Sequence, residues 1–263
     1  MDLGLNGKVA FVAAASKGLG RAIAEELAAE GASLALNARG SDALERTRRS
    51  IASATSAEIL SLPGDVAAAD QVDAMVRKAI DHFGRIDILV TNAGGPPSGA
   101  FETLTPEMWR AAVDLTLLSV VNLTRAVLPG MKERKWGRII NVTSIAVKQP
   151  VHGLMLSNSL RSAVTGFART LANEVAPFGI TVNNILPGYT MTERVTELSA
   201  ATAKREGISE HQAVARWESE IPMGRLGEPR EFAAMAAFLA SERASYITAG
   251  SIAVDGGWIR SLV

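Results

Sequence analysis

The fold turns on the stretch Lys8 to Arg39, KVAFVAAASKGLGRAIAEELAAEGASLALNAR. Lys8 to Ala15 is a short apolar run of the kind that forms a buried strand. Ser16-Lys17-Gly18-Leu19-Gly20 makes a tight polar loop, and beyond it Ile23, Leu27 and Ala28 recur on one face of a helix. Gly31 is placed to end that helix in a left-handed cap, and Ser33 to Leu36 opens a second strand that finishes at Asn37-Ala38-Arg39. Strand, helix, strand in this order is one βαβ unit, which buries both faces of a parallel sheet.

The alternation continues outward. Ser41-Asp42 is expected to cap and charge a helix, and Glu58 to Leu62 reads as a third strand leading into Pro63-Gly64-Asp65. Asp70 to Phe83 is a helix closed by Gly84, and Ile86 to Thr91 is an apolar strand broken by Asn92-Ala93-Gly94-Gly95-Pro96-Pro97. Thr105-Pro106-Glu107 starts a helix expected to end by Leu128, before Pro129-Gly130. The strand Ile139 to Thr143, a polar turn, a helix to about Val175 and the strand Ile180 to Leu186 follow. Thr192 to Ile221 is polar, helix-prone and without a strong apolar period, as expected of a mobile cover over a site. A helix over Glu228 to Leu239 and a strand over Ser251 to Val254 complete the chain. The implied class is α/β: a Rossmann-type doubly wound parallel sheet with helices on both faces, in a single domain over 1–263 with a substrate-covering insertion at about 190–221. Ligands bind such sheets at the carboxyl ends of the strands.

Composition narrows the function. The chain has 263 residues, and 27 Lys and Arg balance 27 Asp and Glu, so no global field draws it to nucleic acid or an anionic membrane. It has no cysteine and only three scattered histidines, which excludes disulfides, thiolate metal sites and a cysteine nucleophile and gives no pattern for a metal. The opening MDLGLNGK has no signal-like apolar region, and no later apolar run approaches the roughly 18 residues of a membrane span. The expectation is a cytoplasmic protein with no nucleic acid, membrane or metal partner.

Gly18 and Gly20 sit between a first strand and a first helix, where backbone N–H groups and the helix dipole can hold a pyrophosphate; the same glycines would equally serve a plain tight turn. Arg39 lies about 20 residues after Gly20, where a dinucleotide site reads the adenosine ribose. No acid stands at Asn37, Ala38 or Arg39, and Lys17 and Arg39 are suited to a 2′-phosphate, so NADP(H) is favoured over NAD(H). The alternative is two solvated surface cations.

From about Leu5 to Gly257 the chain resembles a short-chain dehydrogenase/reductase. Ala13-Ala14-Ala15-Ser16-Lys17-Gly18-Leu19-Gly20 is similar to that family's Thr-Gly-x-x-x-Gly-x-Gly loop, with alanine at its first two defining positions. The resemblance gives Asp65-Val66 to adenine, Asn92-Ala93-Gly94 to a structural motif, and Pro187-Gly188 with Thr190 and Thr192 to the nicotinamide and phosphate loop. On residue type alone, Asp65 reads equally as a turn carboxylate and Asn92 as a strand-end amide. Ala14 puts a methyl where the family keeps bare backbone, which weakens binding if the position needs positive φ.

The resemblance also locates the chemistry. In the family, a Tyr exchanges a proton with the carbonyl oxygen, a Lys four residues on lowers its pKa and holds the nicotinamide ribose, a Ser orients the substrate, and an Asn completes a proton relay. Ser144 matches the Ser. Ser162-Ala163-Val164-Thr165-Gly166 resembles the sequence after the Lys, which puts Arg161 at the Lys position and Ser157 at the Tyr position; Asp114 falls at the Asn. This resembles a divergent, 3-oxoacyl-[acyl-carrier-protein] reductase-like branch. A serine is a poor donor to an alkoxide, whereas Arg161 can anchor ribose without yielding a proton.

Two other donors are candidates: His152, against an exposed loop histidine, and Tyr189, against a packing role beside the nicotinamide. Lys148 is weaker. Asp114 is expected to be a buried carboxylate paired with Arg161 or backbone donors, and Ser144 and Ser157 alternatively cap the turn and the helix start. The expected function is an NADP(H)-dependent oxidoreductase acting on a carbonyl or alcohol through Ser144, with the proton from His152, Tyr189 or water. The alternative is a nucleotide-binding but non-catalytic homologue, a sensor or partner subunit. The resemblance further implies a homo-oligomer, dimer or tetramer, with Ala163, Phe167 and Leu171 facing either a partner or the chain's own sheet.

Overall fold

The computed structural model describes residues 2–262. Seven strands form one parallel sheet: β1 (Val9–Val12), β2 (Ser33–Ala38), β3 (Ile59–Pro63), β4 (Ile88–Thr91), β5 (Gly137–Val142), β6 (Ile180–Pro187) and β7 (Ser251–Val254), in spatial order β3-β2-β1-β4-β5-β6-β7. The order reverses between β1 and β4, which opens a crevice at their carboxyl ends. Alternate side chains of each strand feed two cores. Ala10, Val12, Leu34, Leu36, Ile88 and Val90 point to one face, where they meet helices α1 (Gly18–Ala29), α2 (Ser41–Ala54) and α9 (Pro229–Ala240). Phe11, Ala35, Leu89 and Ile139 point to the other, against α3 (Ala69–Phe83), α5 (Ser119–Arg134) and α6 (Met155–Val175). These strands lack an alternating polar pattern because both faces are covered.

Ile23, Leu27 and Ala28 are buried as their spacing predicts, and Gly31 (φ 89°) and Gly84 (φ 77°) occupy the left-handed positions that end α1 and α3. Thr105 caps α4 (Pro106–Val113), its hydroxyl accepting from the Met108 N–H at 3.3 Å. Three expectations are corrected. Ser41 is not a cap: Gly40 precedes the helix without a side-chain bond, and Ser41 Oγ lies 3.4 Å from Asp42 Oδ1.

The helix that starts at Pro106 does not stop before Pro129. It passes through a π turn at Asp114–Leu118 and runs to Arg134, with Pro129 inside α5. Pro129 and Arg125 are both exposed, so the carbonyl that the proline leaves without a donor sits on the solvent side of the helix. The resulting 29-residue helix, with a mean hydropathy of 1.5 over its best window, is also long and apolar enough to cross a membrane. The expectation that no segment reaches that length overlooked it because Asp114 and Arg125 interrupt the run without lowering its average far. Only 39% of that window is buried within the chain.

The segment after β6 forms α7 (Glu193–Glu206) and α8 (Glu210–Glu220), packed on each other beside the crevice. α8 opens with a capping box, Ser209 Oγ accepting from the Gln212 N–H and Gln212 Oε1 from the Ser209 N–H.

Candidate active site

A cavity of about 580 Å³ occupies the crevice at the carboxyl ends of the strands. At one end is the loop between β1 and α1. Ala14 has φ 50°, so the methyl group does sit on left-handed backbone, and Gly18 follows at φ 55°. Gly20 is required by contact: a Cβ there would lie 2.3 Å from the Ala14 carbonyl oxygen and 2.9 Å from Asn92 Nδ2. Lys17 precedes α1 in extended conformation and gives it no side-chain cap, so the first-turn N–H groups of Gly18, Leu19 and Gly20 keep their donors at the positive end of the helix dipole. Ser16, Gly18 and Leu19 line the cavity, and this donor set fits a bound diphosphate.

Lys17 and Arg39, both exposed, line the adenosine end and make no ion pair among the described residues. Asn37 also borders the cavity, but its amide donates to Leu62 O and Gly64 O at 3.0 Å each, tying β2 to the end of β3. Asp65 adopts the turn role, its Oδ1 accepting from the Ala67 N–H at 3.0 Å, while it and Val66 face the cavity. Asn92, Ala93 and Gly94 line it from β4, and Pro187, Gly188, Thr190 and Thr192 from the loop after β6. That loop is clipped to Gly227, which accepts from the Met191 N–H at 2.9 Å and donates to Tyr189 O at 2.9 Å.

At the other end, β5 delivers Ser144 and the first two turns of α6 deliver Ser157 and Arg161, all facing the same cavity. Ser144 Oγ accepts from the Ala146 N–H at 3.1 Å, so it caps the short turn Ile145–Val147 and keeps its own proton to donate. Ser157 is not a cap: it lies inside α6, is buried, and its hydroxyl has no hydrogen bond among the described residues. Arg161 Nη1 donates to Val142 O at 2.7 Å. Burial, and secondarily the like charge of Arg194, push its guanidinium down to about 10, so it remains a cation at neutral pH.

Three expectations fail here. Asp114 is exposed, forms no ion pair among the described residues and does not border the cavity; it begins the π turn, which shifts the helix out of the phase that α-helical spacing assumes. His152 is exposed in its loop, where Val151 and Leu154 are the residues that reach the cavity. Lys148 does not border it. Tyr189 does, but it stacks on Trp217 (4.7 Å between centroids, 9°) and meets Trp258 edge-on at 6.0 Å. Burial, and then Glu220, push its phenol up to about 12, which favours packing over proton donation.

One residue escaped the sequence. Arg194, on the first turn of α7, crosses the crevice to donate from Nη2 to Pro96 O at 3.2 Å. Its guanidinium lies flat on Gly95, where a Cβ would come within 2.8 Å of it. A cation at the positive end of a helix dipole is unfavourably placed, and that was the available signal.

The sheet order, the uncapped helix over a glycine loop and the crevice define a doubly wound dinucleotide-binding protein. A family profile described as "Enoyl-(Acyl carrier protein) reductase" matches residues 13–259. The chain is 38% identical to a D-beta-hydroxybutyrate dehydrogenase of Cupriavidus necator, over 97% of this chain and 99% of that one. It is 37% identical to a 3-oxoacyl-[acyl-carrier-protein] reductase of Synechocystis, over 97% and 98%. The crystal structure of L-sorbose reductase from Gluconobacter frateurii complexed with NADPH and L-sorbose superimposes with a TM-score of 0.94 and 36% identity, covering 100% of both chains. The chain belongs to the short-chain dehydrogenase/reductase family.

Proposed function

We propose that this protein is an NADP(H)-dependent oxidoreductase that interconverts a small carbonyl compound and its alcohol. The observation that carries the reading is a single cavity that has an uncapped helix start and two unpaired cations at one end and Ser144, Ser157 and Arg161 at the other. The nicotinamide of the bound cofactor supplies the hydride. Gly18, Leu19 and Gly20 would hold its diphosphate, Lys17 and Arg39 its 2′-phosphate, and Pro187, Gly188, Thr190 and Thr192 its nicotinamide end. The Ser144 hydroxyl donates to the carbonyl oxygen. The Arg161 cation holds ribose and stabilises negative charge developing on that oxygen, with Ser157 as a second hydroxyl. Because Tyr189 is packed and His152 faces solvent, the proton comes from water admitted to the cavity.

Relatives named as ketoacyl, hydroxybutyrate and sorbose enzymes support a carbonyl or alcohol substrate, and the NADPH-bound neighbours support the cofactor. A cytoplasmic location, a cover formed by α7 and α8, and assembly as a homodimer or homotetramer belong to the same proposal. NADPH consumption across a panel of ketones and 3-oxo compounds tests it. Turnover that drops on Ser144→Ala supports the reading. Tight NADPH binding by calorimetry with no turnover on any substrate would instead favour the non-catalytic homologue.

A further inference from the structure

Arg161 and Arg194 both border the cavity, and of the two only Arg194 has a carboxylate partner among the described residues. Arg161 donates to the Val142 carbonyl and has no carboxylate partner among the described residues. Asp114, the acid expected to pair with it, is exposed outside the cavity. Arg194 has its own anchor on Pro96 O, and its Nη1 meets Glu197 at 3.3 Å in a part-exposed pair (37% and 58% exposed). The other acids bordering the cavity stand elsewhere: Asp65 is occupied by its own turn, and Glu193 lies near Gly18 at the phosphate loop. Two guanidinium groups, one enclosed, therefore share a single part-exposed carboxylate, Glu197, and the excess positive charge is costly until an anion enters. Gly95 is bare where Arg194 lies against it, so the guanidinium is seated flat beside the crevice.

We infer that Arg194, with Arg161 behind it, forms a carboxylate subsite, and that the substrate is a short carbonyl compound bearing a carboxylate near the reacting carbon. This rests on the oxidoreductase reading for its chemistry, but the anion subsite itself does not. A planar guanidinium matches a carboxylate in two parallel hydrogen bonds, which a neutral ketone or sugar cannot use in full. The subsite also explains why α7 carries an arginine at the end of the helix least suited to one: the carboxylate, not the dipole, is its partner.

Calorimetric titration of the NADP+-loaded protein with acetoacetate and with acetoacetamide tests the inference, since neither ketone reacts with the oxidised cofactor. Acetoacetate is expected to bind about tenfold or more tightly than the amide, the size of one charge-assisted pair. The preference disappears in R194Q. It shrinks in G95A, where the new methyl pushes the guanidinium aside without touching the sheet. Equal affinity for acid and amide overturns the inference, as does an acid preference that survives in R194Q. The same titrations on cofactor-free protein separate the two readings: absence of NADP+ binding removes the oxidoreductase reading, while an Arg194-dependent acid preference still establishes the subsite.

Discussion

Ala14 carries the methyl group that the glycine loop would do without. Its φ of 50° places an L side chain in left-handed backbone, a conformation that costs of order 1 kcal/mol or more. Ala14→Gly relieves that strain and loses part of the gain to the freer unfolded chain. The expected net is a rise in Tm of about 2 °C by calorimetry, with tighter NADP+ binding as the loop opens. The conflict was legible in the sequence because it needs only a local rule about φ. Arg194 was not, since its partner Pro96 lies on a loop whose approach depends on the folded-back segment after β6. Ser157 and Arg161 were legible as positions but not as an environment. If the proton is what this pair lacks, the double variant Ser157→Tyr, Arg161→Lys should raise kcat by about 10²-fold and add an ionisation to the pH-rate profile. An unchanged kcat with NADPH affinity retained would show that the proton is not limiting.

Among elements, strands were read well because burial on both faces leaves continuous apolar runs, as in Ile88 to Thr91. Helix ends were read well where the cap is chemical: Thr105 and Gly84 are where their side chains or lack of one require. Pro129 was misread because its cost depends on whether the freed carbonyl meets water, which sequence does not state. α9 shows a cap with a measurable pH signature. Arg225 donates to both Glu231 carboxylate oxygens, at 2.6 and 2.8 Å, and the Glu228 N–H donates at 2.8 Å. Arg225 first, and then the Glu228 backbone bond, hold the Glu231 carboxyl down at about 2, against an ordinary 4.5. Its folded pKa is thus depressed, so the stabilisation is present above 4.5 and is lost as pH falls toward 2. Glu231→Gln should lower Tm at pH 7 and flatten the fall in Tm between pH 4.5 and 2 relative to the unmodified protein; parallel curves for the two would refute the cap's part in acid sensitivity.

At the scale of the molecule, the outer side of the long helices is unfinished. Leu156, Leu160, Val164 and Ala168 face inward from α6, which answers part of the question about its stripe: Leu171 packs on the chain's own sheet. Ala163 is exposed, and Phe167, half-buried, packs on the edge of the same core. Next to α6, the helix Pro106–Arg134 leaves part of its apolar surface exposed, including Leu118 at 39% exposure. Apolar surface of this kind gains about 25 cal/mol per Å² when covered, and adjacent helices leave room for a second copy to do so about a two-fold axis. Light scattering should therefore return a mass of two or four chains. Ala163→Glu places a charge against its own symmetry mate and should shift the mass toward one chain, with near-native circular dichroism because the residue is exposed on α6. A monomeric unmodified protein would refute the assembly, and an unchanged oligomer in the variant would move the interface away from α6.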